Sequence, residues 1–150
     1  MKKLLFAVLT GVFLVSCASA PVVSYKSDKF AHFQKYRSIY KAVSSNNVRI
    51  IAYKVDSETK ENQVAELWIN EIKLVLKSKG YNFIKSESFL SDKGENVVFS
   101  EFETYFNGEL YIYSLAIMPE KNKLIISEAG GRKTDYSACR NDVIKIIKSI

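Results

Sequence analysis

Two alternating runs meet at Asn107-Gly108, with NVVFSEFETYF (96–106) on one side and ELYIYSLAIM (109–118) on the other. Both positions of the tightest hairpin turn need a positive φ, which asparagine tolerates and glycine adopts freely. Long strands joined this closely must be antiparallel neighbours, which excludes an all-helical chain and a purely parallel sheet. Along 96–106, Val98, Phe102 and Phe106 share one parity, and Val97, Phe99, Glu101, Glu103 and Tyr105 share the other. Along 109–118, Tyr111, Tyr113, Leu115 and Ile117 take one face, and Leu110, Ile112, Ala116 and Met118 take the opposite one. A strand apolar on both faces is expected at the centre of a sheet, covered on both sides. In the competing reading, one face lines a groove between sheet and helix, with Trp68, Tyr111 and Tyr113 as candidate contacts for a small apolar ligand.

The remaining segments fit around this hairpin. KYRSIYKAV (35–43) and VRIIAYKV (48–55) are rich in β-branched and aromatic residues and flank the turn cluster Ser44-Ser45-Asn46-Asn47, which reads as a second hairpin. Upstream, Phe30, Phe33, Tyr36, Tyr40 and Val43 also fit helical spacing, so a short helix over 29–34 leading into the first strand is expected. NQVAELWINEIKLVLKSKG (62–80) is the clearest helix. Val64, Leu67, Trp68, Ile72, Val75 and Leu76 are assigned to its buried face, Asn62 to its N-cap and Gly80 to the position just past its end. YNFIKSESF (81–89) is a further strand, PEKN (119–122) a turn and KLIISEA (123–129) a returning strand. Gly130-Gly131 is read as a link out of that strand, and Asp135 as the cap of a last helix. Tyr136, Cys139, Val143, Ile146, Ile147 and Ile150 form that helix's apolar face. The expected architecture is α/β of the α+β kind, with a mainly antiparallel sheet, the order β-β-α-β-β-β-β-α, and two principal helices packed on the sheet.

The first residues carry a different message. Lys2 and Lys3 precede an uncharged, mostly apolar run of 12, Leu4 to Val15. That is too short to span a bilayer and suits the core of a signal peptide. Ala18-Ser19-Ala20 offers a small-residue cleavage site, but Pro21 would follow the cut, and its ring suits a protease cleft poorly. Leu14-Val15-Ser16-Cys17 resembles the bacterial lipobox. That resemblance implies a diacylglyceryl group on the Cys17 thiol, cleavage before it, and an acyl chain such as palmitate on the new amino group. The organisation expected is a signal peptide over 1–16, a lipidated N-terminus and tether over 17–29, and a single domain over 30–150. Two or more acyl chains suffice for stable anchoring. The chain is therefore expected in the bacterial cell envelope, lipid-anchored, on the outer membrane rather than the inner. Lys26, Lys29, Lys35, Arg37 and Lys41 follow the anchor against Asp28 alone, and are candidates for resting on anionic headgroups.

The net charge of +6 would suit nucleic acid, but export places the chain away from it, so no nucleic-acid partner is expected. The two cysteines are Cys17 and Cys139. With Cys17 lipidated, Cys139 has no intrachain partner, so the domain must be held by its core, and Cys139 reads as a buried thiol. His32 is the single histidine. With no second ligand at metal spacing, no metal or other cofactor is expected. No glycine-flanked serine accompanies His32, and Glu101, Glu103, Glu109 and Glu128 read as strand residues opposite lysines, so no catalytic residue is assigned. Arg132 and Lys133 after the paired glycines lack a complete phosphate-binding fingerprint.

Three ordered pieces resemble the PsbP/Mog-like superfamily, which includes DcrB-like bacterial lipoproteins. They are YKAVSSNNVRIIAYKV, ELWINEIKLVLKSKGYNFI and IISEAGGRKTDYSACRNDVIKIIKSI, spanning about residues 36 to 150. A second likeness is to small lipoprotein domains with Gly-Tyr after the first helix, seen also in outer-membrane assembly lipoproteins. Both resemblances imply a binding scaffold rather than an enzyme. The expected partners are the membrane, through the lipid, and an unidentified envelope protein, with a small apolar ligand as the alternative.

Overall fold

Asn107 and Gly108 take φ values of 51° and 80°, and close the hairpin between β5 (Asn96–Phe106) and β6 (Glu109–Glu120). The computed structural model describes residues 19–36, 38–57 and 64–150. A third strand on this side, β7 (Lys123–Arg132), returns from β6 through Lys121-Asn122. Two further strands, β2 (Ile39–Ser44) and β3 (Arg49–Asp56), form the second hairpin expected from the sequence. The sheet has seven strands in the order β1-β2-β3-β7-β6-β5-β4, and every neighbouring pair is antiparallel.

The element order is the one expected, with one strand added ahead of it. Residues 30–36 form β1 (Phe30–Tyr36), paired with β2, and not a helix over 29–34. The pairing explains the difference. Phe30 turns into the core beneath Tyr40 and Ala42, while Phe33 lies opposite Lys41 on the other face. The aromatic spacing that imitates a helix is satisfied by a strand with an irregular register near its end.

Helix α1 (Val64–Ser78) carries the chain from β3 across β7, β6 and β5 to β4 (Asn82–Leu90) at the far edge. Its end is closed as the sequence indicates. Gly80 has φ 85°, its N–H donates to Lys77 O at 3.1 Å, and the Tyr81 N–H donates to Leu76 O at 3.0 Å. This is the paired hydrogen-bond pattern that a left-handed glycine allows. The expected cap Asn62 lies outside the described residues.

Helix α2 (Lys133–Lys148) follows β7 directly. Gly130 and Gly131 do not form a link, because both are strand residues of β7. A Cβ on Gly130 would stand 2.9 Å from Ile112 O, and one on Gly131 would stand 2.9 Å from the Val48 side chain. The glycines let β6 and the β2–β3 turn approach. The helix consequently starts earlier than expected. Its N-cap is Arg132, with no side-chain cap hydrogen bond, and Asp135 sits in the first turn, where its charge still favours the helix N-terminus.

The helices lie on opposite faces of the sheet. Val97, Phe99, Ile112, Ala116, Met118 and Ile125 pack with Tyr136, Cys139, Val143, Ile146 and Ile147 of α2. Their strand neighbours Val98, Leu115, Ile117, Leu124 and Ile126 pack with Ala65 and Ile69 of α1. Alternation along β5, β6 and β7 thus supplies two cores. Each fully buried aliphatic side chain contributes about 2 kcal/mol of transfer free energy.

The segment ahead of β1 lies along α2. Pro21, Val23 and Ser27 are buried. The Ser24 N–H donates to Ser149 O at 3.3 Å, and Ser27 Oγ donates to Asp142 Oδ1 at 2.8 Å. The chain therefore runs from the C-terminal end of α2 back toward the start of β1, packed on the domain throughout.

Candidate functional site

Helix α1 is rotated relative to the sequence expectation. Ala65, Ile69 and Leu76 are buried and Ile72 is half-buried. Leu67, Trp68, Leu74 and Val75 are exposed, Leu74 at 66% and Leu67 at 62%. The helix is apolar on more than one side, so a face chosen by the largest side chains selects the wrong one. Small Ala65 gives the close approach to the sheet, and the bulky residues stay outside. On the flank toward β4, Glu66, Asn70 and Lys73 border an open, largely polar cleft of about 250 Å³ with Ser86, Glu87 and Ser88. At 100° per residue, Trp68 and Val75 point to the opposite flank, over the β7 side.

On that side the sheet face is open among the described residues. Helix α1 packs against β4, β5 and β6. No described helix lies over the same face of β1, β2 and β3, where Phe33 is exposed and Val43, Ile51 and Tyr53 are half-buried. The wall formed by α1 and this floor make an open, partly apolar shelf. Glu128 lies on it, in β7. Its two oxygens accept from Tyr53 Oη at 2.8 Å and Tyr113 Oη at 2.9 Å. Burial first, and the Glu128 charge second, push both phenols far above their usual range, so they serve as fixed donors.

Beneath α2 the arrangement is ionic. Glu101, which the sequence places on a strand face that is wet at its middle, is buried. Arg140 Nε donates to Glu101 Oε1 at 2.7 Å, and its Nη2 reaches Glu101 Oε2 at 2.9 Å and Glu87 Oε1 at 2.6 Å. Tyr136 Oη donates to Glu101 Oε1 at 3.2 Å, and Lys85 Nζ stands 3.4 Å from Glu101 Oε2. Burial alone would raise the Glu101 pKa; the hydrogen bonds and charge of Arg140, helped by Lys85 and Tyr136, overcome that and hold it below its usual value.

His32, Cys139, Arg132 and Lys133 are engaged as well. His32 Nδ1 lies 2.6 Å from Tyr40 Oη. Cys139 is buried, its Sγ 3.3 Å from Asp135 O, and desolvation raises its pKa. Arg132 pairs with Glu109 at 3.1 Å and Lys133 with Glu103 at 3.2 Å, so the cations after the paired glycines face carboxylates. No cluster of three or more His, Cys, Asp or Glu able to hold a metal ion occurs among the described residues. No helix among them is long and apolar enough to cross a membrane.

The residues assigned to a ligand groove are not brought together. Trp68 is on the exposed flank of α1 over β7, Tyr113 is packed in the core under that helix, and Tyr111 stacks edge-on with Phe106 at the hairpin end. Of the five cations assigned to a lipid surface, Lys26 is exposed beside Tyr25, and Lys29 is engaged by Asp142 at 3.1 Å and by Ala138 O. Lys41 alternates with buried Ala42 and so faces the other side of the sheet. Arg37 and the Lys35 side chain lie outside the described residues, as do Leu14, Val15, Ser16 and Cys17.

No family model matches the sequence, and no curated protein matches it by sequence. Solved structures do share the fold. A Pseudomonas aeruginosa protein of unknown function, PA94, superposes with a TM-score of 0.57 at 9% identity over 85% of each chain. LpqN, described as involved in cell envelope biogenesis of Mycobacterium tuberculosis, does so with a TM-score of 0.60 at 13% identity, over 88% of this chain and 80% of that one. The cyanobacterial PsbP of Synechocystis matches with a TM-score of 0.54 at 8% identity, over 87% of this chain and 96% of that one. The class defined is the PsbP-like fold, an antiparallel sheet with a helix on each face.

Proposed function

We propose that this chain is an exported envelope lipoprotein, tethered through Cys17, whose domain is a non-catalytic module that binds another protein. The observation that carries the binding role is the exposed apolar surface of α1, with Leu67 and Leu74 on its outer side and Trp68 and Val75 on the adjoining flank over β7. Contiguous exposed apolar surface of this kind marks an interaction site. The commitment of His32, Glu101 and Glu128 to phenol and guanidinium partners favours binding over catalysis. Export and anchoring are supported by the basic and apolar leader and the Leu-Val-Ser-Cys sequence. The likeness of fold to LpqN, an envelope-biogenesis protein, agrees with that location.

Two measurements test the reading. Cys17→Ser should abolish the acyl mass and release the protein from the membrane fraction; unchanged mass and unchanged fractionation would refute the anchor. A photo-crosslinking residue at position 68 or 74 should capture one defined envelope protein. The capture should disappear when Leu67→Asp is added and persist when the exposed Tyr105 is changed instead. Equal capture from all these variants would remove α1 as the binding face.

A further inference from the structure

We propose that the end of the domain bearing Val22, Leu90, Lys26, Lys93, Lys145 and Lys148 is a membrane-resting surface that takes anionic lipid headgroups. This rests on the anchoring reading above and adds the face that the anchored domain presents to the bilayer.

The chain leaves little slack. Pro21 and Val23 are buried, and Ser24 is bonded through both its N–H and its Oγ to Ser149 O. The domain thus holds the chain from Pro21 onward, beside the last turn of α2. Three residues, Ala18 to Ala20, separate Cys17 from Pro21, and the four backbone steps fully extended reach about 14 Å. A lipid on Cys17 therefore keeps this end of the domain within about 14 Å of the acylated residue, close to the headgroup surface. The opposite end, with the Asn107-Gly108 turn, is a sheet length away.

The chemistry at this end suits such a surface. The Asp92 N–H donates to Lys148 O at 2.8 Å, and Lys93 Nζ donates to Ile150 O, which ties the β4–β5 turn to the end of α2. Lys145 Nζ lies 5.6 Å over the Tyr25 ring, and Lys148 Nζ lies 5.0 Å over the Phe89 ring. Lys26 follows Tyr25 directly. Two of these ammonium groups thus sit over aromatic faces, which holds the positive charge in place at this end of the domain. Asp92 and Glu95 share the turn with Lys93, so cations exceed anions at this end. Asp142, further along α2, is already engaged by Ser27, Tyr25 and Lys29. Val22 is 70% exposed and Leu90 63% exposed, giving the surface two apolar points that can enter the interface. At the opposite end Arg132 and Lys133 are neutralised by Glu109 and Glu103.

The test uses the full chain purified from membranes and reconstituted into vesicles. One set is phosphatidylcholine alone, and the other adds phosphatidylglycerol. An environment-sensitive fluorophore is placed by Leu90→Cys, and in a second protein by Phe106→Cys at the far end. The label at 90 should shift to the blue and be quenched by brominated acyl chains, more strongly with phosphatidylglycerol, while the label at 106 stays water-like. Lys93→Glu, Lys145→Glu and Lys148→Glu together should remove the dependence on phosphatidylglycerol and leave the protein anchored. Each neutralised lysine near such a surface is worth about fivefold in association. Water-like emission at both labels on both vesicles would overturn the surface while leaving the anchor intact. A protein that carries no acyl mass would overturn the anchor. The same labelled protein is then mixed with both vesicles, where no shift at position 90 would overturn the surface as well.

Discussion

Arg140 of α2 grips Glu101 of β5 with two hydrogen bonds, Nε to Oε1 at 2.7 Å and Nη2 to Oε2 at 2.9 Å. The fork fixes the height and roll of α2 over the sheet, because Glu101 is almost fully buried and Arg140 keeps only a quarter of its side chain in water. Paired geometry of this kind is the favourable case for a desolvated ion pair.

Breaking that pair from one side should be more damaging than removing it whole. Arg140→Met leaves a buried carboxylate with only Lys85 and Tyr136, and should cost about 3 kcal/mol, at the lower end for buried pairs because Arg140 is partly wet. Glu101→Leu combined with Arg140→Met should recover part of that loss. Urea unfolding of the single and double variants measures the coupling, and strictly additive losses would refute it.

The same pair sets an acid limb. The Glu101 carboxyl is held below its usual value of 4.5, so its contribution is fully present above that pH and is lost as pH falls through the lowered value. Asp142, held down by Ser27, Lys29 and Tyr25 against its own desolvation, adds a second loss as pH falls below its usual value of 3.8. Stability followed by circular dichroism should therefore fall on acidification below 4.5. Glu101→Gln should flatten that fall, and an acid limb of unchanged steepness would show that other carboxyls carry it.

The two β7 glycines should differ in what rescues them. At Gly130 the obstacle is a backbone oxygen, Ile112 O, whereas at Gly131 the nearest atom is Val48 Cγ2 at 2.9 Å, with Val48 Cα behind it at 3.2 Å. Gly130→Ala should cost about 1–3 kcal/mol with no single partner change to relieve it. Gly131→Ala should cost a similar amount and be restored only in part by Val48→Ala, which removes Cγ2 but leaves Val48 Cα at 3.2 Å and empties a buried position. Thermal melts of the three variants decide this, and full tolerance of Gly130→Ala would mean that β6 can move away.

What the sequence discloses here is mostly local. Asn107-Gly108, the Ser44–Asn47 turn and Gly80 each state their geometry in two to four residues, and the structure follows them. The two-faced β6 was legible because strict alternation leaves no other place for it than the centre. The face of α1 was not, since Ala65 carries little hydrophobic signal and Leu67, Trp68, Leu74 and Val75 spread apolar surface around the helix. The strand β1 was hidden because its pairing partner, not its own periodicity, decides its form. The Glu101–Arg140 fork joins residues on different elements, and nothing local marks either as the other's partner.

The α1 assignment makes a sharp contrast between adjacent residues. Trp68→Asp should cost about 1 kcal/mol, because Trp68 is 39% exposed and packs only along the helix flank. Ile69→Ala, one residue on, should cost about 2–5 kcal/mol, because Ile69 fills the core under the helix. Chemical denaturation of both proteins reads the difference, and a larger loss at position 68 would reverse the helix orientation.

Thiol chemistry closes on both cysteines together. Cys139 is buried against α2's own carbonyls and its pKa is raised, so in the folded protein it should resist a thiol reagent, reacting only as fast as the domain opens. A thioether at Cys17 leaves that thiol unreactive in any state. The membrane-extracted protein should then titrate no thiol when native and one in denaturant, out of the two cysteines in the sequence. Two thiols in denaturant would show Cys17 to be free in the retained chain and remove the anchor. Rapid native labelling of Cys139 would instead show that α2 lifts from the sheet far more readily than its buried face implies.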